Sequence, residues 1–182
     1  VKCRVALAFP DVYEIGMSHL GYLIVYHGFN SDERVYAERV FAPWHDAGEL
    51  LKKTGSRLAT LETGTPISDF DLLGFTLSHE LAATNILHVL DLGGIPVLAG
   101  ERTEKHPIVI AGGCGAVNPE PLADFLDAVY LGDAEPAFSE IADVIIEGKE
   151  KNRSRKGILE SLAHVEGIYI PSFYQPVYES GK

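Results

Sequence analysis

Short apolar runs alternate with amphipathic stretches along almost the whole chain, and that alternation constrains its fold more than any other feature. The runs are residues 4–9, 35–41, 70–77, 107–111 and 128–131. Rich in Val, Ile, Leu and aromatic residues, they read as strands. Between the first two, residues 16–29 repeat apolar side chains at helical spacing (Met17, Leu20, Ile24), with Ser18 as a candidate cap. Residues 47–53 follow Asp46, a good N-cap, and residues 80–92 end at Gly93-Gly94, a helix-stop signal. Residues 135–147 precede Gly148, and 158–164 form a last helix. Shorter signals mark a helix over 120–125 and strands over 58–62 and 168–170. Strands joined through helices pair in parallel and carry helices on both faces. The pattern therefore predicts an α/β fold: a doubly wound, flavodoxin-like or Rossmann-like five-stranded parallel sheet of order 2-1-3-4-5.

Length and charge narrow the function classes. The 182 residues suffice for one domain with a sizeable core, assigned to residues 1–150, with 151–182 as a C-terminal extension. The net charge of −11 argues against a sequence-independent nucleic-acid binder, whose affinity would come from Lys and Arg. The basic stretch 149–156 reads as a solvated connection. No apolar run reaches the roughly 18 residues of a membrane helix, and no signal pattern opens the chain. Two cysteines, Cys3 and Cys114, are too few for a disulfide scaffold or a four-sulfur cluster, which points to a cytoplasmic setting. The chain opens at Val1 and closes on a Pro- and Tyr-rich stretch; both ends suggest a segment of a longer protein leading into a further domain.

In a doubly wound sheet the loops at the carboxyl ends of the strands form the binding crevice. Here these are residues 10–16, 76–80, 112–118 and 132–135. Gly112-Gly113 lets a ligand or another backbone approach closely. Thr76, Ser78 and His79 offer two hydroxyls and an imidazole. Asp133 and Glu135 place two carboxylates after the fifth strand, where Asp133 could also cap the next helix. Cys114 reads first as a small residue in a tight turn, with an exposed thiol as the alternative. The first loop holds one glycine rather than the three of the dinucleotide fingerprint, and no P-loop, G-x-S-x-G elbow or H-E-x-x-H pair occurs. A binding module fits these loops better than a stand-alone enzyme.

The loop DVYEIG resembles the cobalamin-binding motif D-x-H-x-x-G, with Asp11 and Gly16 at the matching positions and Tyr13 where the motif has His. Thr76-Leu77-Ser78 aligns with that family's S-x-L motif, and Gly112-Gly113 with its Gly-Gly. FPDVYEIGMSHLG, AERVFAPW, GFTLSHE, AGG with NPEPLADF, LGD with Glu135, and GIYIPSFY together resemble the N-terminal cobalamin-binding-like domain of an uncharacterised branch of radical-SAM proteins.

The resemblance implies a cofactor-binding accessory domain of a radical-SAM enzyme. Cobalamin would meet Asp11, Tyr13, Gly16, Thr76, Ser78, His79, Gly112, Gly113, Asp133 and Glu135. Tyr13 would need a strongly lowered pKa, from about 10, to act as a phenolate ligand in place of imidazole. The iron–sulfur cluster and S-adenosylmethionine would belong to a radical-SAM domain following in cis. A weak homodimer is expected if that neighbour normally covers an apolar face. The residues alone leave a second reading open: a docking or regulatory module of the same fold without a cofactor. A phospho-receiver needs an Asp after the third strand, where this chain has Thr76, and a flavin carrier needs a hydroxyl-rich phosphate nest in the first loop.

Overall fold

The structure, a computed structural model, describes residues 1–133, 137–175 and 177. Its elements run β1 (Cys3–Phe9), α1 (Tyr13–Gly16), α2 (Leu20–Asn30), β2 (Val35–Phe41), α3 (His45–Thr54), β3 (Leu72–Thr76), α4 (Ala83–Gly93), β4 (Ile108–Gly112), β5 (Ala128–Tyr130), α5 (Phe138–Glu150), α6 (Arg155–Leu162) and β6 (Ile168–Tyr169). The sheet order is β2-β1-β3-β4-β5-β6. The first five strands are parallel, in the expected order. The sheet has six strands rather than five, because β6 pairs antiparallel with β5 (Val129 opposite Tyr169, Tyr130 opposite Ile168). Leu159, Leu162 and Ile170, in the stretch after residue 150, are buried in the same core as the sheet.

Strand alternation divides that core in two. Val5, Leu7, Leu72, Ile108, Ile110 and Ala128 face the side covered by α2, α5 and α6. Ala6, Ala8, Leu73, Phe75, Val109 and Val129 face the side covered by α4. The switch from one face to the other falls between β1 and β3.

Several local expectations change. The helix predicted over 16–29 is split, with α1 a single turn and α2 starting at Leu20. The cap of α2 is His19 rather than Ser18: His19 Nδ1 accepts from the Tyr22 N–H at 3.2 Å. Residues 58–62 form no strand and contribute one bridge, Ala59 to Pro66. Gly148 lies inside α5, where a Cβ would stand 2.7 Å from Ile158 Cγ1, so it lets α6 pack closely. The basic stretch is paired: Lys149 with Asp71, Arg153 with Glu147, and Arg155 with Asp127.

The outer side of β2 is met by groups from the chain itself. Asn30 Oδ1 accepts from Ala37 N at 2.9 Å while its Nδ2 donates to Ala37 O at 3.1 Å. Glu62 Oε2 accepts from Arg39 N at 2.7 Å, and Leu61 N donates to Arg39 O at 2.8 Å. The loop carrying these groups is organised by Glu38, fully buried and held by Thr60, Thr63 and Arg4. Burial opposes ionisation of Glu38, but these partners outweigh it and hold its pKa below the ordinary carboxylate value. Asn30→Leu strips both partners from Ala37 and is expected to cost about 1–3 kcal/mol in chemical denaturation.

Candidate binding cavity

A cavity of about 390 Å³ lies between the sheet and helices α2 and α5 and reaches the carboxyl-end loops. Its sheet wall is Leu7, Leu72, Gly74, Ile110 and Gly112. The helix wall comes from Gly21, Ile24 and Val25 of α2 and from Phe138 and Ile141 of α5. The missing side chains of Gly74 and Gly112 help to create the space. A Cβ on Gly112 would make only ordinary contacts, 3.6 Å from Tyr130 Cβ and O. The interior is therefore apolar and suited to a flat or aliphatic group.

The mouth is polar. Thr76 and Ser78 bring hydroxyls from the end of β3, and Asp133 is the carboxylate among the described lining residues. His19 enters from the start of α2, its Nε2 3.3 Å from Ser78 Oγ. Cys114 Sγ is exposed and donates to the Ser78 carbonyl at 3.0 Å. Gly113 has φ of 110°, and a Cβ there would stand 2.7 Å from the Leu77 carbonyl oxygen. The glycine is thus needed for the β4 loop to cross the β3 loop. Tyr130 OH donates to the Asp133 carbonyl at 2.9 Å and fixes the far rim.

Five residues named from the sequence, Thr76, Ser78, Gly112, Gly113 and Asp133, line this cavity. Asp11, Tyr13, Gly16 and His79 do not. Asp11 closes its own loop, accepting from Val12 N at 2.7 Å, and its carbonyl accepts from Ala42 N at 3.0 Å, which ties β1 to β2. The Tyr13 ring packs edge-on against Phe41, with centroids 5.2 Å apart. Gly16 is wedged between aromatic rings: a Cβ would fall 2.6 Å from both Phe9 Cδ1 and Phe41 Cε1. The His79 side chain is exposed. Glu135 lies outside the described residues. Sequence reasoning missed His19, Gly21, Ile24, Gly74 and Phe138. Gly74 carried a signal, a lone glycine inside an apolar strand.

The other cysteine, Cys3, is buried at the opposite end of β1, and burial pushes its thiol pKa up to about 12. Among the described residues no group of three or more His, Cys, Asp or Glu could hold a metal ion. None of the described helices is long and apolar enough to cross a membrane.

The family model for the N-terminal region of radical SAM proteins matches residues 21–171. No curated protein sequence matches the chain. Among solved structures, the fold is similar to part of the radical S-adenosylmethionine methyltransferase TsrM from Kitasatospora setae, determined with tryptophan substrate and the SAM analogue aza-SAM bound. The TM-score is 0.51 at 15% identity, and the match covers 92% of this chain. It covers 28% of the TsrM chain.

Proposed function

The chain belongs to the radical SAM protein N-terminal family, and from that premise we propose that it is a cofactor-binding accessory domain whose cavity takes the nucleotide tail of cobalamin. The carrying observation is the apolar slot between the sheet and α2/α5, rimmed by the hydroxyls of Thr76 and Ser78. Its volume of about 390 Å³ is in the lower part of the roughly 300–1,000 Å³ range of small-molecule sites. That is room for a lower base and its sugar, with the macrocycle left outside across the carboxyl edge. Ile24, Phe138 and Ile141 would enclose the base and exclude water. Thr76 and Ser78 would bond its polar atoms, and Gly112 would give the tail passage. Cobalamin supplies a cobalt centre able to carry a methyl group; the protein supplies position and a dry surrounding. Tyr13, held against Phe41 and away from the cavity lining, gives no support to a protein ligand for cobalt from that loop.

The proposed partner is a radical-SAM catalytic domain in cis, which would bring the iron–sulfur cluster and S-adenosylmethionine. Leu20 at the start of α2, and Trp44, Leu81 and Val117 on the segments that follow β2, β3 and β4, stand exposed at the carboxyl edge of the sheet, a face suited to that neighbour. Alone, the chain would associate weakly through it, measurable by sedimentation at rising concentration. The free thiols suit a reducing, cytoplasmic compartment. The placement of Asp11, Tyr13 and Gly16 in packing roles favours the second reading, a docking module of the same fold without cofactor.

Titration with hydroxocobalamin and methylcobalamin, followed by visible absorbance, separates the two. The cofactor reading expects saturable binding with a base-off spectrum. Gly112→Leu should fold normally, because its Cβ meets no close atom, yet fill the slot and weaken binding at least tenfold, about 1.4 kcal/mol. Binding of equal strength in Gly112→Leu would sink the assignment of this cavity.

A further inference from the structure

The chemistry of the cavity mouth follows from one backbone hydrogen bond. An amide N–H can only donate, and the N–H of Tyr22 is met by His19 Nδ1 at 3.2 Å. Nδ1 therefore presents its lone pair, and in the neutral imidazole the proton sits on Nε2. Nε2 stands 3.3 Å from Ser78 Oγ, on the opposite side of the mouth. This contact occupies a lone pair of the Ser78 oxygen. No other described acceptor takes the hydroxyl's own proton, and the Ser78 carbonyl is held separately by Cys114 Sγ at 3.0 Å.

We propose that His19 is a positioning residue that commits Ser78 to donating its proton into the cavity, so that the ligand atom seated there must be a lone-pair acceptor. The choice of corrinoid probes rests on the cobalamin reading; the orientation of the imidazole does not. Two atoms of a cobalamin tail qualify: an unprotonated ring nitrogen of the lower base, or a phosphate oxygen. The same bonds remove His19 from consideration as a metal ligand, since Nδ1 is occupied at the start of α2 and Nε2 carries the proton.

The test combines one spectrum with three ligands. Imidazole ¹⁵N shifts of His19 in the purified chain read the tautomer without any ligand; the Nε2–H form is expected, and an Nδ1–H form overturns the inference. Binding is then compared for cobalamin, for p-cresolyl cobamide (phosphate kept, ring nitrogen absent) and for cobinamide, which lacks both. His19→Asn keeps an oxygen able to cap α2, but its amide nitrogen ends one ring atom short of the Nε2 position and does not bring a proton to Ser78. It is expected to melt like the wild type and to bind cobalamin roughly fivefold more weakly, the worth of one hydrogen bond. Ser78→Ala should show the same loss, and the double variant no more than either.

If the acceptor is the ring nitrogen, p-cresolyl cobamide binding is insensitive to His19→Asn; if it is phosphate, the loss is the same as for cobalamin. Cobinamide is unaffected in both cases. An equal loss with cobinamide, or no loss with cobalamin, refutes the positioning role. Failure of the wild type to bind any corrinoid overturns the cobalamin reading, while the tautomer still decides the orientation of the pair.

Discussion

Asp127→Ala is expected to remove about 3–5 kcal/mol of folding stability, the cost of leaving buried charge without its counterpart. One carboxylate oxygen, Asp127 Oδ2, accepts from Arg102 Nη1 at 2.9 Å, Arg155 Nη2 at 2.5 Å and Val109 N at 2.7 Å. The side chains of Arg102 and Asp127 are 0% and 2% exposed. Arg102 also donates to the carbonyls of Pro96, Val97 and Phe125, so it cannot swing out to water without breaking the loops at the lower end of β4 and β5. Burial draws its pKa below the usual guanidinium value, and Asp127 opposes that shift. Two guanidinium groups would lose their anion at once. Because a typical domain is stable by about 5–15 kcal/mol, guanidinium unfolding followed by circular dichroism should show a large fall in midpoint. Lys2→Ala, which breaks the exposed pair with Glu150, should leave the midpoint in place. A small effect of Asp127→Ala would mean that the arginines find other partners.

Gly113→Ala is expected to damage both folding and the cavity mouth. The φ of 110° with ψ of 176° is a conformation that essentially only glycine occupies, worth roughly 1–3 kcal/mol when another residue is forced into it. The added Cβ would also stand 2.7 Å from the Leu77 carbonyl oxygen, a backbone atom that can yield only by moving the 76–78 loop. The expected outcome is a lowered melting temperature together with a loss of ligand affinity. Gly100→Ala is the control: a Cβ there meets nothing within 4 Å, and neither quantity should change. Retention of full affinity in Gly113→Ala would separate the crossing of these loops from the binding site.

The fold was legible because it rests on short-range patterns. Apolar runs and helix-stop glycines located the five parallel strands, and right-handed crossovers ordered them. β6 was seen as a strand signal but not as a member of the sheet, since nothing in two residues announces their direction. The site was legible only in part. Thr76, Ser78, Gly112, Gly113 and Asp133 reach the cavity because strand ends determine where loops emerge. Gly16 looked like a ligand-facing glycine, whereas its constraint is the pair of rings from Phe9 and Phe41, one on a neighbouring strand. The imidazole named from the sequence was His79, which is exposed; the one at the mouth is His19, after the chain has made the single turn of α1. A capping histidine lacks the familiar Ser, Thr, Asp or Asn signature, and so gave no warning.

The treatment of β2 has a consequence for how the domain can be handled and joined. Its outward amides and carbonyls at Ala37 and Arg39 already have partners in Asn30, Leu61 and Glu62. A stray strand, from an unfolded copy or a neighbouring domain, finds no free ladder there to extend, which blunts the usual route from an open sheet to fibrous aggregation. Growth by strand addition is discouraged on that flank, so new contacts are directed to the loop end, and the chain can be tethered to a larger protein without its rim competing for that protein's strands.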